Sequence, residues 1–198
     1  MISTYLFDFD DTLIDTKIYA KLYRQLLEKI QKKLHITKAA LDKNALACGL
    51  KKTKSGRWDT GDLCRELGLL DLYYGELEKQ IQVSEVLHDN VEHILKSLKQ
   101  RGKRIGIVSN SMRRTIELYL KKYRLTSHID FIFSQDDAGC RKDTKEFWKK
   151  LIEKERLTPS ECVVIGDHEI DDVETPKKLK FNTLLIKSPK DLSGALNL

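Results

Sequence analysis

The chain has 198 residues, 40% of them hydrophobic and 33% charged, which is room for one full core and a smaller appended unit. With 36 Lys plus Arg against 30 Asp plus Glu the formal net charge is +6 at pH 7, a mild positive field that suits anionic substrates. No apolar run approaches the length of a membrane span, the acidic start MISTYLFDFD lacks the basic region of a secretory leader, and no aromatic-basic nucleic-acid module is present.

Residues Thr4 to Phe9 are apolar and rich in β-formers, which predicts a buried strand. It ends in four carboxylates, Asp8, Asp10, Asp11 and Asp15. Like charges this close repel one another and resist burial, so the fold has to supply compensation. From Lys17 the period changes: Ile18, Leu22, Leu26, Leu27, Ile30 and Leu34 recur at helical spacing. A polar stretch, KKTKSGRWDTG, interrupts the pattern, which resumes through Leu63, Leu67, Leu70, Leu77 and Ile81. Residues 17–86 thus read as all-helical, with Asp15 a candidate cap for the first helix.

Beyond His88 strands and helices alternate. Val91, Ile94, Leu95 and Leu98 mark a helix that stops at Arg101-Gly102. RIGIVSN is a strand, a helix follows around Thr115 to Tyr123, and IDFIFS is a strand. Lys145 to Glu155 is helical, and ECVVIGD and FNTLLIK are the last strands. The tail DLSGALNL carries no pattern and reads as a loosely held terminus. This alternation is the mark of a parallel sheet built from βαβ units. The predicted architecture is an α/β, Rossmann-like domain made of residues 1–16 and 87–198, with a helical domain, residues 17–86, inserted after the first strand.

Open parallel sheets bind ligands at the carboxyl ends of their strands. Those ends carry Asp8 and Asp10, then Ser109 and Asn110, then Arg141 and Lys142, then Asp167, Asp171 and Asp172. Acids with hard oxygen donors favour Mg²⁺, and a hydroxyl and a Lys suit a phosphate. The four cysteines, Cys48, Cys64, Cys140 and Cys162, match no zinc spacing and read as free thiols of a reducing, cytoplasmic protein.

These motifs resemble those of the haloacid dehalogenase-like superfamily. DFDDTL (Asp8 to Leu13) matches its first motif, IVSNS supplies Ser109 as the second, Lys142 in GCRKDTKEFW is the candidate third, and IGDHEIDD with Asp167 and Asp172 matches the fourth. The usual proline after the third-motif Lys is replaced by Asp143, and Arg141 competes for that role. The resemblance implies a phosphohydrolase of the subfamily with a helical C1 cap, similar to phosphoglycolate phosphatases and nucleotidases. It implies Asp8 as nucleophile and Asp10 as general acid and base. Mg²⁺ would sit on Asp8, the Asp10 backbone carbonyl and Asp167, supported by Asp172. Ser109, Asn110, Lys142 and Thr12 would serve the phosphate and its loop.

The expected partner is a small phosphate ester, with the oligomeric state left open. The acid at Asp10 argues against a carbon-attacking dehalogenase. A phosphomutase of the β-phosphoglucomutase type, or a phosphatase of nucleic-acid ends permitted by the pI near 9.0, are the alternatives. In the cap, Lys54, Arg57 and Trp58 of the Lys51–Gly61 loop are candidates for substrate selection. The plainer alternative is a solvated basic loop with Trp58 packed between helices.

Overall fold

The computed structural model describes residues 1–53 and 56–198; Lys54, named above, lies outside them. The chain forms two compact units, Met1–Asp15 with Val86–Leu198, and Thr16–Glu85. In chain order the strands and α-helices are β1 (Thr4–Phe7), α1 (Ile18–Leu34), α2 (Lys38–Ala47), α3 (Thr60–Glu66), α4 (Leu70–Val83), α5 (Val91–Gln100), β2 (Arg104–Ser109), α6 (Arg113–Lys122), β3 (Phe131–Ser134), α7 (Gln135–Ala138), α8 (Lys145–Glu155), β4 (Cys162–Gly166), α9 (Thr175–Lys177) and β5 (Asn182–Leu185).

The first unit holds a five-stranded sheet, all parallel, in the order β3-β2-β1-β4-β5. All four residues of β1 are buried, as a central strand covered on both faces requires. Leu6 stands between Gly106 of β2 and Val164 of β4. One face packs Leu6, Val108, Phe133, Phe147, Trp148, Leu151, Val164 and Phe181 into a single cluster. Its rings meet edge-on or tilted, with Phe133 and Phe147 centroids 5.1 Å apart and Trp148 and Phe181 5.4 Å apart, the arrangement the ring quadrupole favours. A side chain at Gly106 would run into the Phe131 ring on the neighbouring strand, so glycine here permits close strand-to-ring packing.

The second unit is helical, and its only β-feature among the described residues is the isolated bridge between Lys52 and Trp58. α1 buries Ile18, Leu22, Leu26, Leu27 and Ile30, the stripe its spacing predicts. α3 is capped by Asp59, whose side chain accepts from the Asp62 amide. Trp58 is buried and its indole N–H donates to Asp42 at 2.7 Å. Lys52 lies over its ring, 5.0 Å from the centroid. Trp58 is therefore a packing residue of this unit, as in the plainer alternative.

The position before α1 belongs to Lys17, which makes no side-chain cap bond, and the Asp15 amide donates to the Val86 carbonyl at the chain's return. One expectation is corrected. The C-terminus is not loose. Pro189–Asn197 winds into a 3-10 segment that buries Leu192 and Ala195. The Tyr5 hydroxyl donates to the Leu198 carbonyl at 2.9 Å, and Arg101 donates to the Leu196 carbonyl at 2.6 Å. These partners lie far away in sequence, and no local pattern announces them.

Candidate active site

The sheet order creates the site. The chain runs from β1 outward through β2 and β3, then returns to the other side of β1 for β4 and β5. The loops leaving β1 and β4 diverge there, and the crevice at such a switch point is where α/β sheets bind ligands. Asp8 directly follows β1, and its amide donates to the Ile165 carbonyl at 2.8 Å, so the residue is registered against β4. Asp167 directly follows β4. Asp11 takes the left-handed conformation with φ 56°, which Asp tolerates better than most residues. That turn swings the chain out of the strand while Asp8 and Asp10 stay at its end.

Lys142 is buried, and its ammonium lies 2.6 Å from Asp8 Oδ1 and 2.5 Å from Asp172 Oδ1. Burial alone would lower its pKa, but Asp172 and Asp8 hold the group protonated, above the ordinary lysine range. For Asp8, burial pushes the carboxyl well up, Lys142 pulls it back, and Asp172 and Asp10 add to the rise. Thr12 Oγ1 donates to Asp8 Oδ2 at 3.4 Å, the long limit of a hydrogen bond.

The backbone of Lys142 is tied at both ends. Its amide donates to Asn110 Oδ1 at 2.9 Å, and its carbonyl accepts from Trp148 Nε1 at 2.8 Å. With Asp143 in place of the family's proline, these two bonds hold the loop. Arg141 is exposed, so Lys142 is the cation brought to the acids.

On the other side of Asp8 the loop after β2 closes the site. Ser109 is buried, and its hydroxyl accepts from the Ser111 amide at 3.0 Å. Asn110 uses its amide group to reach Asp171 at 2.8 Å while its carbonyl oxygen receives Lys142. Its carboxamide thus joins two loops of the site. Ser111 Oγ donates to Asp10 Oδ2 at 2.5 Å. Neither Ser111 nor Trp148 stands out in the sequence, because each acts through a contact distant along the chain.

After β4 the backbone makes a π-helical turn, Glu169–Glu174, opened by His168, whose ring accepts from the Asp171 amide at 3.4 Å. π-turns concentrate at functional sites. This one returns buried Asp172 toward β4, where Asp172 Oδ2 accepts from the His168 amide at 3.0 Å. A side chain at Gly166 would collide with the Asp172 carboxylate, so the glycine before Asp167 clears the space that Asp172 fills.

Asp8, Asp167 and Asp172 each offer a carboxylate oxygen, and the three atoms lie within 4.8 Å of one another. Partial desolvation, then Asp172 and Asp11, raise the pKa of Asp167. Asp8 and Asp172 share the buried ammonium of Lys142, and Asp167 brings a third negative charge beside them. Oxygen donors with excess negative charge fit a hard divalent cation such as Mg²⁺. Of the expected metal residues, Asp8 and Asp167 stand together with Asp172; Asp10 is expected to take part through its backbone carbonyl, and its side chain meets Ser111.

A family model described as haloacid dehalogenase-like hydrolase matches residues 5–186. The pyrophosphatase PpaX of Bacillus cereus (strain B4264) is 25% identical over 187 residues, covering 87% of this chain and 77% of the relative. Among solved structures, a HAD phosphatase from Thermococcus onnurineus superposes with a TM-score of 0.71 at 25% identity, covering 94% of this chain and 86% of the other. The HAD-hydrolase YfnB from Bacillus subtilis, described as bound to magnesium, shares the fold with a TM-score of 0.65 at 20% identity, covering 100% and 99%. Among the described residues no helix is long and apolar enough to cross a membrane.

Proposed function

The chain belongs to the haloacid dehalogenase-like hydrolases, enzymes whose phosphatase members it is similar to, and from that premise we propose that it hydrolyses a small phosphorylated metabolite through an aspartyl-phosphate on Asp8. The observation that carries this reading is the buried Lys142 ammonium bridging Asp8 and Asp172 beside Asp167. It supports the reading because the proposed nucleophile, a buried positive charge and the carboxylates proposed for the metal lie side by side.

A carboxylate oxygen of Asp8 attacks phosphorus, the bond from phosphorus to the leaving oxygen breaks, and Asp10 delivers its proton to that oxygen. Asp10, now ionised, takes a proton from water as the water attacks the phosphorus of the aspartyl-phosphate. Inorganic phosphate leaves and Asp8 is regenerated. Lys142 neutralises charge on Asp8 and on the phosphoryl group throughout, acting from a dry position where a fixed charge is worth more than in water. Ser109, at the end of β2, is the hydroxyl for a phosphate oxygen. Held by Asp8, the Asp10 backbone carbonyl and Asp167, Mg²⁺ would supply screening between anionic nucleophile and anionic substrate.

The helical unit Thr16–Glu85 is, on this reading, a cap that selects the leaving group. Four free cysteines suit a reducing, cytoplasmic setting. The reading predicts Mg²⁺-dependent release of phosphate from p-nitrophenyl phosphate, abolished by EDTA and lowered by about 10⁴-fold or more in Asp8→Asn. Hydrolysis that survives both treatments rejects it.

A further inference from the structure

We infer that Ser111 is a positioning residue for the reaction: its hydroxyl fixes the rotation of the Asp10 carboxylate so that this group meets the leaving oxygen. The inference deepens the phosphatase reading and rests on it.

The bond from Ser111 Oγ to Asp10 Oδ2, 2.5 Å long, spans residues a hundred positions apart. It joins the loop after β1 to the loop after β2. The last torsion of an aspartate has broad, shallow preferences, so nothing intrinsic to Asp10 sets the plane of its carboxylate. A proton donor has to be held within about 0.5 Å and 10–20° of its working geometry, and Ser111 supplies that restraint.

Ser111 is itself referenced to rigid structure. Its amide donates to the buried Ser109 hydroxyl at 3.0 Å, and the next residue, buried Met112, opens α6. Asn110, between the two serines, is tied to Asp171 and to the Lys142 amide. The loop is therefore fixed at three points before it reaches Asp10. The Ser111 proton stays on its oxygen throughout; the proton that moves is the one exchanged between Asp10 and the leaving group or water.

This role is separable from simple support of the fold, because general acid help matters in proportion to the basicity of the leaving group. p-Nitrophenolate departs with little need of a proton, whereas an alkoxide needs one. In Ser111→Ala the fall in kcat should be about tenfold or more larger for an alkyl phosphate than for p-nitrophenyl phosphate. That ratio does not depend on how much of the variant is folded. Ser111→Thr, which keeps the hydroxyl, should restore the ratio to within about threefold of wild type. Added to Asp10→Asn, Ser111→Ala should leave the ratio where Asp10→Asn alone puts it, since the two changes remove one function.

Equal falls on the two esters in Ser111→Ala, or a further change of the ratio on top of Asp10→Asn, would overturn the inference while leaving the phosphatase reading standing. Wild-type enzyme that hydrolyses neither ester would remove that reading and the inference with it.

Discussion

Asp167 differs from the other acids of the site in being exposed while Asp8 and Asp172 are buried. Its pKa is raised by partial desolvation and by Asp172 and Asp11, and that of Asp8 is raised mainly by burial. A carboxylate whose folded pKa lies above its unfolded value contributes fully below about pH 4, and loses that contribution as pH rises through the folded value. At neutral pH the metal-free site is therefore under electrostatic strain, which the proposed divalent cation would relieve. Two consequences are measurable by thermal melting. Asp167→Asn should raise the melting temperature of the metal-free protein near pH 8 and have little effect near pH 4. It should also weaken the stabilisation by Mg²⁺, which for an intact site reaches about 2.7 kcal/mol when the ion stands at 100 times its Kd. A lower melting temperature in metal-free Asp167→Asn at pH 8, with the Mg²⁺ effect unchanged, would remove Asp167 from the metal-binding set.

At the scale of elements, the π-helical turn after β4 is the device that brings Asp172 back to Lys142, and Gly166 is the position that makes room for it. Gly166→Ala should displace Asp172 from Lys142. A displaced Asp172 leaves the ammonium with one partner, and breaking a buried ion pair costs about 3–5 kcal/mol. The expected variant is less stable by roughly that amount in urea denaturation and lowered in kcat; a variant as stable and as active as wild type would show that the turn tolerates a side chain.

The sequence makes some elements readable and hides others. α1 and α8 are legible because their apolar residues follow one face of a helix, and β1, β2 and β4 because they are short, apolar and followed by polar residues. The turn Glu169–Glu174 is not: EIDDVE has no helical stripe, and its shape is set by Asp172 reaching Lys142. The docking of the tail on Tyr5 and Arg101 is likewise a tertiary event. The site divides in the same way. The acids come after strands, Lys142 comes ahead of α8, and all of them belong to motifs. Ser111, Trp148 and the clasp made by Asn110 are ordinary residues that acquire a task only when β1, β2 and α8 are side by side.

At the scale of the molecule, one unit carries every residue assigned to the chemistry, and the inserted helical unit carries none of them. Trp58, the most conspicuous side chain of the inserted loop, is buried and bonded to Asp42, so it serves the packing of its own unit. The chemistry is thus testable apart from the question of which ester is the natural substrate. The central claim is that phosphorus is transferred twice, first to Asp8 and then to water. Each in-line displacement inverts the configuration at phosphorus, so two displacements restore it. The most direct measurement is the configuration of the inorganic thiophosphate recovered when the Mg²⁺-supplied enzyme hydrolyses a phosphorothioate ester, chiral through two oxygen isotopes, in water of the third isotope. Net retention is the predicted result, and net inversion, the signature of direct attack by water, would contradict the account.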